Sequence, residues 1–353
     1  MNNKTETDAQ EALQTLNTKK VWFPVLCGLA ITVFLFYRSG KISSETIALL
    51  NRPNWSYLWM ALFSIILREV GHICRLRILS NNTLSWTSCF YVAILWEFAS
   101  AVTPSVVGGG IVAVFLFSKE GLSLGRSLSY VIVNGIMDNL FFLLAGSRAF
   151  FGAYETLFAM AGDLTSSVRA IFFTNYFILF VYTFIIAFGV FINPKLLKWI
   201  LMRTTSIGFF KRWRRFAYQL SKDIIIASNE FRGRSLFFWC KILLCTVLTW
   251  VVRYAFLNCL IAAYSTVSFM QHLSMFGKQI VMWALMLVPV SPGGSGIAEV
   301  LFQQFFEPML GDHTLIIAVL WRICTFYLYL TLGAIFLPRW IQRVFKKSDP
   351  LKS

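Results

Sequence analysis

Charged residues are scarce in this 353-residue sequence. Asp, Glu, Lys and Arg make up only 14% of it, whereas 57% is hydrophobic. Soluble domains carry about 25% charged and about 45–50% apolar residues, so a water-soluble fold could not bury this much apolar surface. The composition excludes an ordinary soluble enzyme and predicts an all-α, polytopic integral membrane bundle.

Metal-binding and disulfide patterns are also missing. The seven cysteines include no CxxC pair, so the sequence indicates neither a metal site nor a disulfide framework. No cofactor is expected, and most cysteines are predicted to be small buried hydrophobes.

Acidic residues are half as frequent as basic ones, 16 against 32, which gives a formal charge of +16. Such a charge first suggests nucleic-acid binding. Here the basic residues lie between apolar stretches, where the positive-inside rule places them. We therefore expect membrane lipids as partners, anionic or zwitterionic phospholipids above all, and no nucleic acid; a homo-oligomer stays open.

Six apolar stretches approach the roughly 20 residues that a membrane span needs. No small-residue cleavage site follows the first, so it is expected to be an uncleaved helix rather than a signal peptide. The chain then divides into a segment at 1–20, a transmembrane domain at 21–338 and a basic tail at 339–353. The predicted spans are Val21–Tyr37, Trp55–Cys74, Ser127–Gly146, Ala170–Ile192, Leu236–Tyr264 and Thr314–Leu337.

Two further apolar stretches, Trp86–Phe117 and Phe276–Leu310, are each interrupted by Pro and Gly. Irregular backbone in a bilayer persists only where protein or a water-filled cavity surrounds it. We predict two re-entrant hairpins that enter from opposite sides and meet near the midplane, with half-helices that begin near Ile111 and Ile297. Their N-terminal dipole ends suit a phosphate or carboxylate. The alternative is close helix packing by small residues.

The hairpin topology agrees with the positive-inside rule. It places both termini and the linker at 195–234, which carries ten Lys or Arg residues, in the cytoplasm of a plasma (inner) membrane protein. Two full spans instead of hairpins would put this linker outside. Its mixed basic and aromatic helices are expected either to lie in the headgroup plane or to act only as a topogenic block. Arg75 is expected on the cytoplasmic side and Arg253 at the outer surface.

Several ionisable residues fall near mid-bilayer, where a charge costs about 2.5–3.5 kcal/mol and therefore needs a partner. These residues either form structural ion pairs or line a polar path, and Glu299 could instead cap its own half-helix. Together with the Pro and Gly breaks they give the candidate substrate-binding set: Arg68, Glu69, His72, Glu97, Pro104, Gly108, Gly109, Gly110, Asp138, Pro292, Gly293, Gly294, Gly296, Glu299 and Arg322.

The run PGGSGIAE at residues 292–299 resembles the PxPGGxGxxE signature of the transmembrane flippase domain of lysylphosphatidylglycerol synthetase/flippase proteins. The Pro/Gly break at 104–110, Gly121-Leu122-Ser123 and Arg322 with its following aromatics agree with that family. Pro289 is displaced by one from the usual spacing. Residues 106–110 read VVGGG, where many relatives carry an Arg and an acidic residue, so aminoacylated phosphatidylglycerol is in doubt as the substrate.

The resemblance implies a stand-alone flippase-like domain without the synthase half, which moves a membrane lipid or lipid-linked precursor and is not an enzyme. A secondary transporter of a small solute or ion is the main alternative. A remote one is an intramembrane hydrolase, because Gly293–Gly296 matches a GxSG motif with Ser295 as nucleophile. The span Thr314–Leu337 offers no histidine as its base.

Overall fold

The computed structural model describes residues 53–103, 106–147, 157–158, 165–287, 294 and 296–346, without the side chains of 106–108, 209–210 and 345–346. Within these ranges the chain is helical and contains no strand. The helices are α1 (Trp55–Leu79), α2 (Trp86–Val102), α3 (Val106–Lys119), α4 (Leu124–Gly146), α5 (Thr165–Phe191), α6 (Pro194–Thr204), α7 (Arg214–Phe231), α8 (Leu236–Ala262), α9 (Phe269–Leu285), α10 (Ile297–Leu310), α11 (Thr314–Arg322) and α12 (Leu328–Lys346). A π-turn at Ile323–Tyr327 joins α11 to α12.

Five helical runs in the described ranges are long and apolar enough to cross a membrane. They are α1, α4, α5, α8 and the composite run Ile297–Val344. The predicted span Val21–Tyr37 lies outside the described residues, and each of the other five predicted spans falls within one of these runs to within two residues. The predicted fold class, an all-α polytopic membrane protein, is confirmed.

Helix starts follow from local sequence. A serine stands immediately before α2, α4, α8 and α9, and its hydroxyl accepts a backbone N–H from the first turn. Such N-caps pair donors that have no partner within the helix. Short polar residues between apolar runs therefore set the boundaries of the spans.

Helices α1 and α8 run antiparallel in close contact. At one end the N–H of Asn54 donates to the carbonyl of Ala263 (2.6 Å). Further along, a Cβ on Gly71 would lie only 2.7 Å from Thr249 Oγ1, so glycine permits the backbones to approach. The close packing of α1 and α8 places the charged residues of α1 beside α8.

Arg75, which the sequence predicts on the cytoplasmic side, is buried within the bundle. Helix α1 continues to Leu79, and the Arg75 side chain is only 3% exposed within the bundle. Its ion-pair partner on α4, described below, removes its need for water, and its position on the cytoplasmic side stays a prediction.

The two arms of the first broken segment, α2 and α3, pack against each other as a helical hairpin. The Arg343 guanidinium near the end of α12 lies over the Tyr91 ring in α2 (4.6 Å to the centroid) and pairs with Glu120, which follows α3. The start of α2 and the end of α3 therefore meet the same end of the bundle. Deeper in the hairpin, the Phe98 ring packs directly on Gly333 of α12.

The second broken segment folds back in the opposite direction. Helix α9 starts beside the end of α8, where Asn258 donates to the carbonyl of His272 (2.9 Å). Lys278 Nζ on α9 donates to the carbonyl of Phe305 on α10 (2.8 Å), which joins the two arms. Pro308 has no N–H to donate to the carbonyl of Gln304, and Lys278 donates to the next carbonyl in the same turn.

The linker forms two amphipathic helices, α6 and α7, that pack on the ends of α4 and α5. Arg126 at the start of α4 pairs with Glu230 on α7 (3.1 Å). Large apolar side chains point outward from the linker: Trp199, Ile207 and Phe216 are each at least 60% exposed. With the basic residues between them, these side chains suit a helix pair lying at a membrane surface.

Candidate functional site

The ionisable residues predicted at mid-bilayer form three separate buried groups rather than one cluster. The Arg68 and Arg75 groups each join helices that are distant in sequence, and the Arg322 group joins the neighbouring helices α10 and α11. They are the Arg68 group (Arg68, Glu69, Glu97, Arg253 and Tyr329), the Arg75 group (Arg75 and Asp138) and the Arg322 group (Arg322 and Glu299).

The Arg68 group connects the first hairpin to the core of the bundle. Arg68 Nη2 lies 2.5 Å from Glu97 Oε1, and Arg68 Nη1 lies 2.7 Å from Glu69 Oε1. The Tyr329 hydroxyl donates to the same Glu69 oxygen (2.6 Å) and accepts from Arg68. Glu97 lies five residues before the end of α2, so the deep part of the hairpin is tied to α1 and α12.

Arg253 of α8 completes this group, although its contact is loose. Its Nη1 lies 3.7 Å from Glu97 Oε2, and the side chain is 35% exposed. The prediction that Arg253 reaches the outer surface was wrong, because it turns toward Glu97 about 14 Å before the end of α8. The two arginines and two glutamates balance, which makes their burial in a membrane tolerable.

His72 lies one helical turn beyond Arg68 on α1. Its ring is 5.8 Å from the Trp96 ring of α2. Its Nε2 atom is buried and has no hydrogen-bond partner among the residues described. Nor do the described ranges contain three His, Cys, Asp or Glu side chains grouped to hold a metal ion. A role of His72 in substrate binding stays a prediction.

The Arg75 group lies between α1, α4 and α8. Arg75 pairs with Asp138 Oδ1 and also donates to Thr246 Oγ1 (3.2 Å). Trp250 Nε1 donates to Asp138 Oδ1 (2.7 Å), and Asn134 Nδ2 donates to Asp138 Oδ2 (3.0 Å). Both Asp138 oxygens therefore have protein donors, the arrangement of a structural ion pair. The predicted role of Asp138 in binding is untested.

The Arg322 group lies where α10 begins. Helix α10 starts at Ile297, as predicted, and Glu299 Oε2 accepts the N–H of Gly296 (2.6 Å). Glu299 Oε1 accepts from Arg322 Nε (2.7 Å), so one carboxylate both caps the helix and forms an ion pair. Arg322 ends α11, and Tyr329 lies seven residues further along the same helical run, in α12, so the two groups are about 10 Å apart along it.

Three of the predicted turn glycines are helical. Helix α3 begins at Val106, so the predicted start near Ile111 was wrong and Gly108–Gly110 lie in its first two turns. A Cβ on Gly109 would overlap the Ser100 side chain of α2. This glycine lets the two arms of the hairpin touch, which is the packing role of small residues in membrane helices.

The glycines of the second break do adopt turn conformations. Gly294 and Gly296 have φ of 66° and 90°, values that favour glycine. The tips of the two hairpins, with Pro104, Pro292 and Gly293, lie outside the described residues. Their predicted meeting near the midplane and their roles in binding stay predictions.

The sequence interpretation missed several partners. Arg75 follows Arg68 by seven residues, which places both on one face of a helix. The burial of Arg75 was therefore predictable from this spacing. Tyr329 follows Arg322 by the same interval. The contact of Arg253 with Glu97 left no comparable signal, because α2 and α8 are distant in sequence.

Comparison with known proteins agrees with this architecture. Residues 22–333 match the family described as "Lysylphosphatidylglycerol synthase TM region", a range that contains all three ion-pair groups. The sequence is also 23% identical over 333 residues to a "UPF0104 membrane protein" of Archaeoglobus fulgidus, covering 88% of this chain and 94% of that relative. The chain is therefore a multi-pass membrane protein that belongs to the lysylphosphatidylglycerol synthase transmembrane-region family.

Proposed function

We propose that this protein moves an amphipathic lipid, or a lipid-linked precursor, between the leaflets of the membrane. The observation that carries the proposal is the Arg68 group, in which four charged side chains meet deep between α1, α2, α8 and α12. Ionisable residues at this depth are costly and mark polar pathways in membrane proteins. Because the group contains two arginines and two glutamates, the charged parts of a lipid headgroup can replace one of the existing ion-pair contacts.

The first hairpin is the element that such an exchange would move. Glu97 is the hairpin's ionic link to Arg68 and Arg253. A headgroup phosphate that forms an ion pair with one of these arginines weakens its contact with Glu97. Hydroxyl or cationic parts of the headgroup then contact Glu97 or Glu69. Binding at the group is thereby coupled to displacement of the hairpin arms.

The orientation that we propose places both termini and the linker in the cytoplasm of a plasma (inner) membrane. The contacts of Glu230 with Arg126 and of Glu120 with Arg343 support it. They gather the linker, the start of α4 and the end of α12 at one end of the bundle. Basic loops collect on the cytoplasmic side. No catalytic step is proposed; the protein acts as a transporter.

A translocation assay in proteoliposomes tests this function. Fluorescent phosphatidylglycerol in the inner leaflet is protected from dithionite until it is moved outward, and protein-free vesicles give the background rate. Glu97→Gln removes the link between the hairpin and the two arginines and should slow protein-dependent translocation about tenfold, equivalent to about 1.4 kcal/mol.

Glu230→Gln is the matched control, because it breaks an ion pair of the linker (Arg126–Glu230, 3.1 Å) away from the Arg68 group. It should keep the wild-type rate. Equal rates for wild type, Glu97→Gln and empty vesicles would contradict lipid movement. A solute flux through the same protein without any lipid movement would instead establish the alternative class of small-solute transporter.

A further inference from the structure

A small, half-open cleft beside the Arg68 group lies between α1, α8 and the π-turn. Its polar side is formed by Arg68, Arg253 and Tyr329, and its apolar side includes Ile65 and Phe256. The π-turn supplies further lining residues. Such turns are rare and occur frequently at functional sites.

The two arginines of the cleft differ in how far they are satisfied. Both Nη atoms of Arg68 contact carboxylates at hydrogen-bond distance, 2.7 Å and 2.5 Å. Arg253 approaches Glu97 only to 3.7 Å, beyond a hydrogen bond, and no other carboxylate in the described ranges pairs with it. Its guanidinium also lies over the Trp250 ring (5.1 Å to the centroid). Because the side chain is one-third exposed and lines the cleft, Arg253 keeps N–H donors that no hydrogen-bond acceptor in the described ranges occupies.

The surroundings of these donors are apolar. Ile65 and Phe256 line the cleft, and neighbouring side chains on the three elements, Ile66, Val251 and Ile323, are exposed on the outer surface. In a bilayer that surface faces hydrocarbon. The cleft thus combines N–H donors that bind anions with apolar walls that suit acyl chains. A free inorganic ion would gain no binding energy from those apolar walls.

We propose that this cleft is a binding site for the phosphodiester of a membrane phospholipid, with Arg253 as its main donor. The guanidinium fork binds two phosphate oxygens while Arg68 keeps Glu97 and Glu69. The acyl chains lie along Ile65 and Phe256. The inference rests on the proposed lipid transport and deepens it. It names the chemical group that is bound and the cleft between α1, α8 and the π-turn through which the lipid enters from the bilayer.

Lipid binding to the purified protein tests the site without relying on transport. Dioleoyl phosphatidylglycerol is titrated into the protein in neutral detergent, and native mass spectrometry measures the bound fraction. Arg253→Gln should weaken binding about tenfold, and Arg253→Lys should fall between it and wild type, because Lys lacks the fork. The control Arg126→Gln, which removes an exposed arginine outside the cleft, should bind as wild type does.

Two competitors define the bound group. Dioleoyl glycerol, which has no phosphate, should not displace phosphatidylglycerol, and inorganic phosphate should displace it only weakly. Equal affinity of Arg253→Gln and wild type would overturn the site. Full displacement by inorganic phosphate would overturn its assignment to a lipid.

Photo-crosslinking locates the lipid. Phosphatidylglycerol with a diazirine in its acyl chain should label peptides of α1 and of Ile323–Tyr327, and labelling confined to α6 and α7 would also overturn the site. Binding that depends on Arg253 without any lipid translocation would refute the proposed function and leave the site standing. If Arg253→Gln changes neither lipid translocation nor lipid binding, the site is refuted and the proposed function stands.

Discussion

Removing the Asp138 carboxylate alone should destabilise the bundle more than removing both members of its ion pair. Asp138→Leu leaves the Arg75 guanidinium, 3% exposed, with Thr246 at 3.2 Å as its described contact. Arg75→Met leaves a carboxylate that still accepts from Trp250 and Asn134. The double variant leaves no unpaired charge.

The magnitudes follow from these contacts. Losing one partner of a buried pair costs about 3–5 kcal/mol of unfolding free energy, so Asp138→Leu should fall in that range. Arg75→Met should cost about 2–3 kcal/mol, because two neutral donors still stabilise the carboxylate. The double variant should lose only about 1–3 kcal/mol, from the Trp250 and Asn134 donors that lose their acceptor. The resulting coupling energy is at least about 2 kcal/mol.

Dodecyl sulfate titration in mixed micelles, followed by circular dichroism, measures the four unfolding free energies of this cycle. A double variant whose loss equals or exceeds the sum of the two single losses would refute the reasoning, because Arg75 and Asp138 would then not stabilise each other. The folded double variant also tests the predicted binding role of Asp138. Wild-type lipid translocation by that variant would limit Asp138 to a structural role.

Three further predictions concern packing, the second hairpin and topology. Gly333→Leu forces a side chain into the Phe98 ring of α2 and should cost about 1–3 kcal/mol of unfolding free energy. Gly135→Ala, with open space around it, should not lower the thermal midpoint. Size-exclusion chromatography with fluorescence detection after heating measures both midpoints. Lys278→Met removes the donor that joins α9 to α10 and should cost about 1–3 kcal/mol in the micelle titration, and an unchanged value would show that the contact adds no stability. In a cysteine-free background, an impermeant maleimide added to intact cells should label Asp312→Cys and not Ser206→Cys, and the opposite pattern would invert the proposed orientation.

The amino-acid sequence determined the membrane class and the approximate positions of the spans. Apolar length decides which segments enter the bilayer, and this information is local, so five of the predicted spans coincide with described helical runs. The start of α10 at Ile297 was also predictable, because Gly296 ends a glycine-rich turn and Glu299, three residues later, is placed to cap the helix.

The tertiary structure alone decided which charges pair. A sequence shows that Arg68, Glu97 and Asp138 are too costly to stay single in a membrane. Their partners, however, depend on the rotation and depth of each helix, which are set by packing between distant segments. Gly71 against Thr249 fixes the closeness of α1 and α8, and that contact places Arg75 opposite Thr246.

The same reason explains the error at the first break. Gly108–Gly110 have low helix propensity, and local sequence therefore predicts a turn. Packing overrides this preference, because Gly109 lets α3 lie directly on Ser100 of α2. Local chemistry thus placed the helices in the bilayer, and close contact between helices distant in sequence decided how their buried charges are shared.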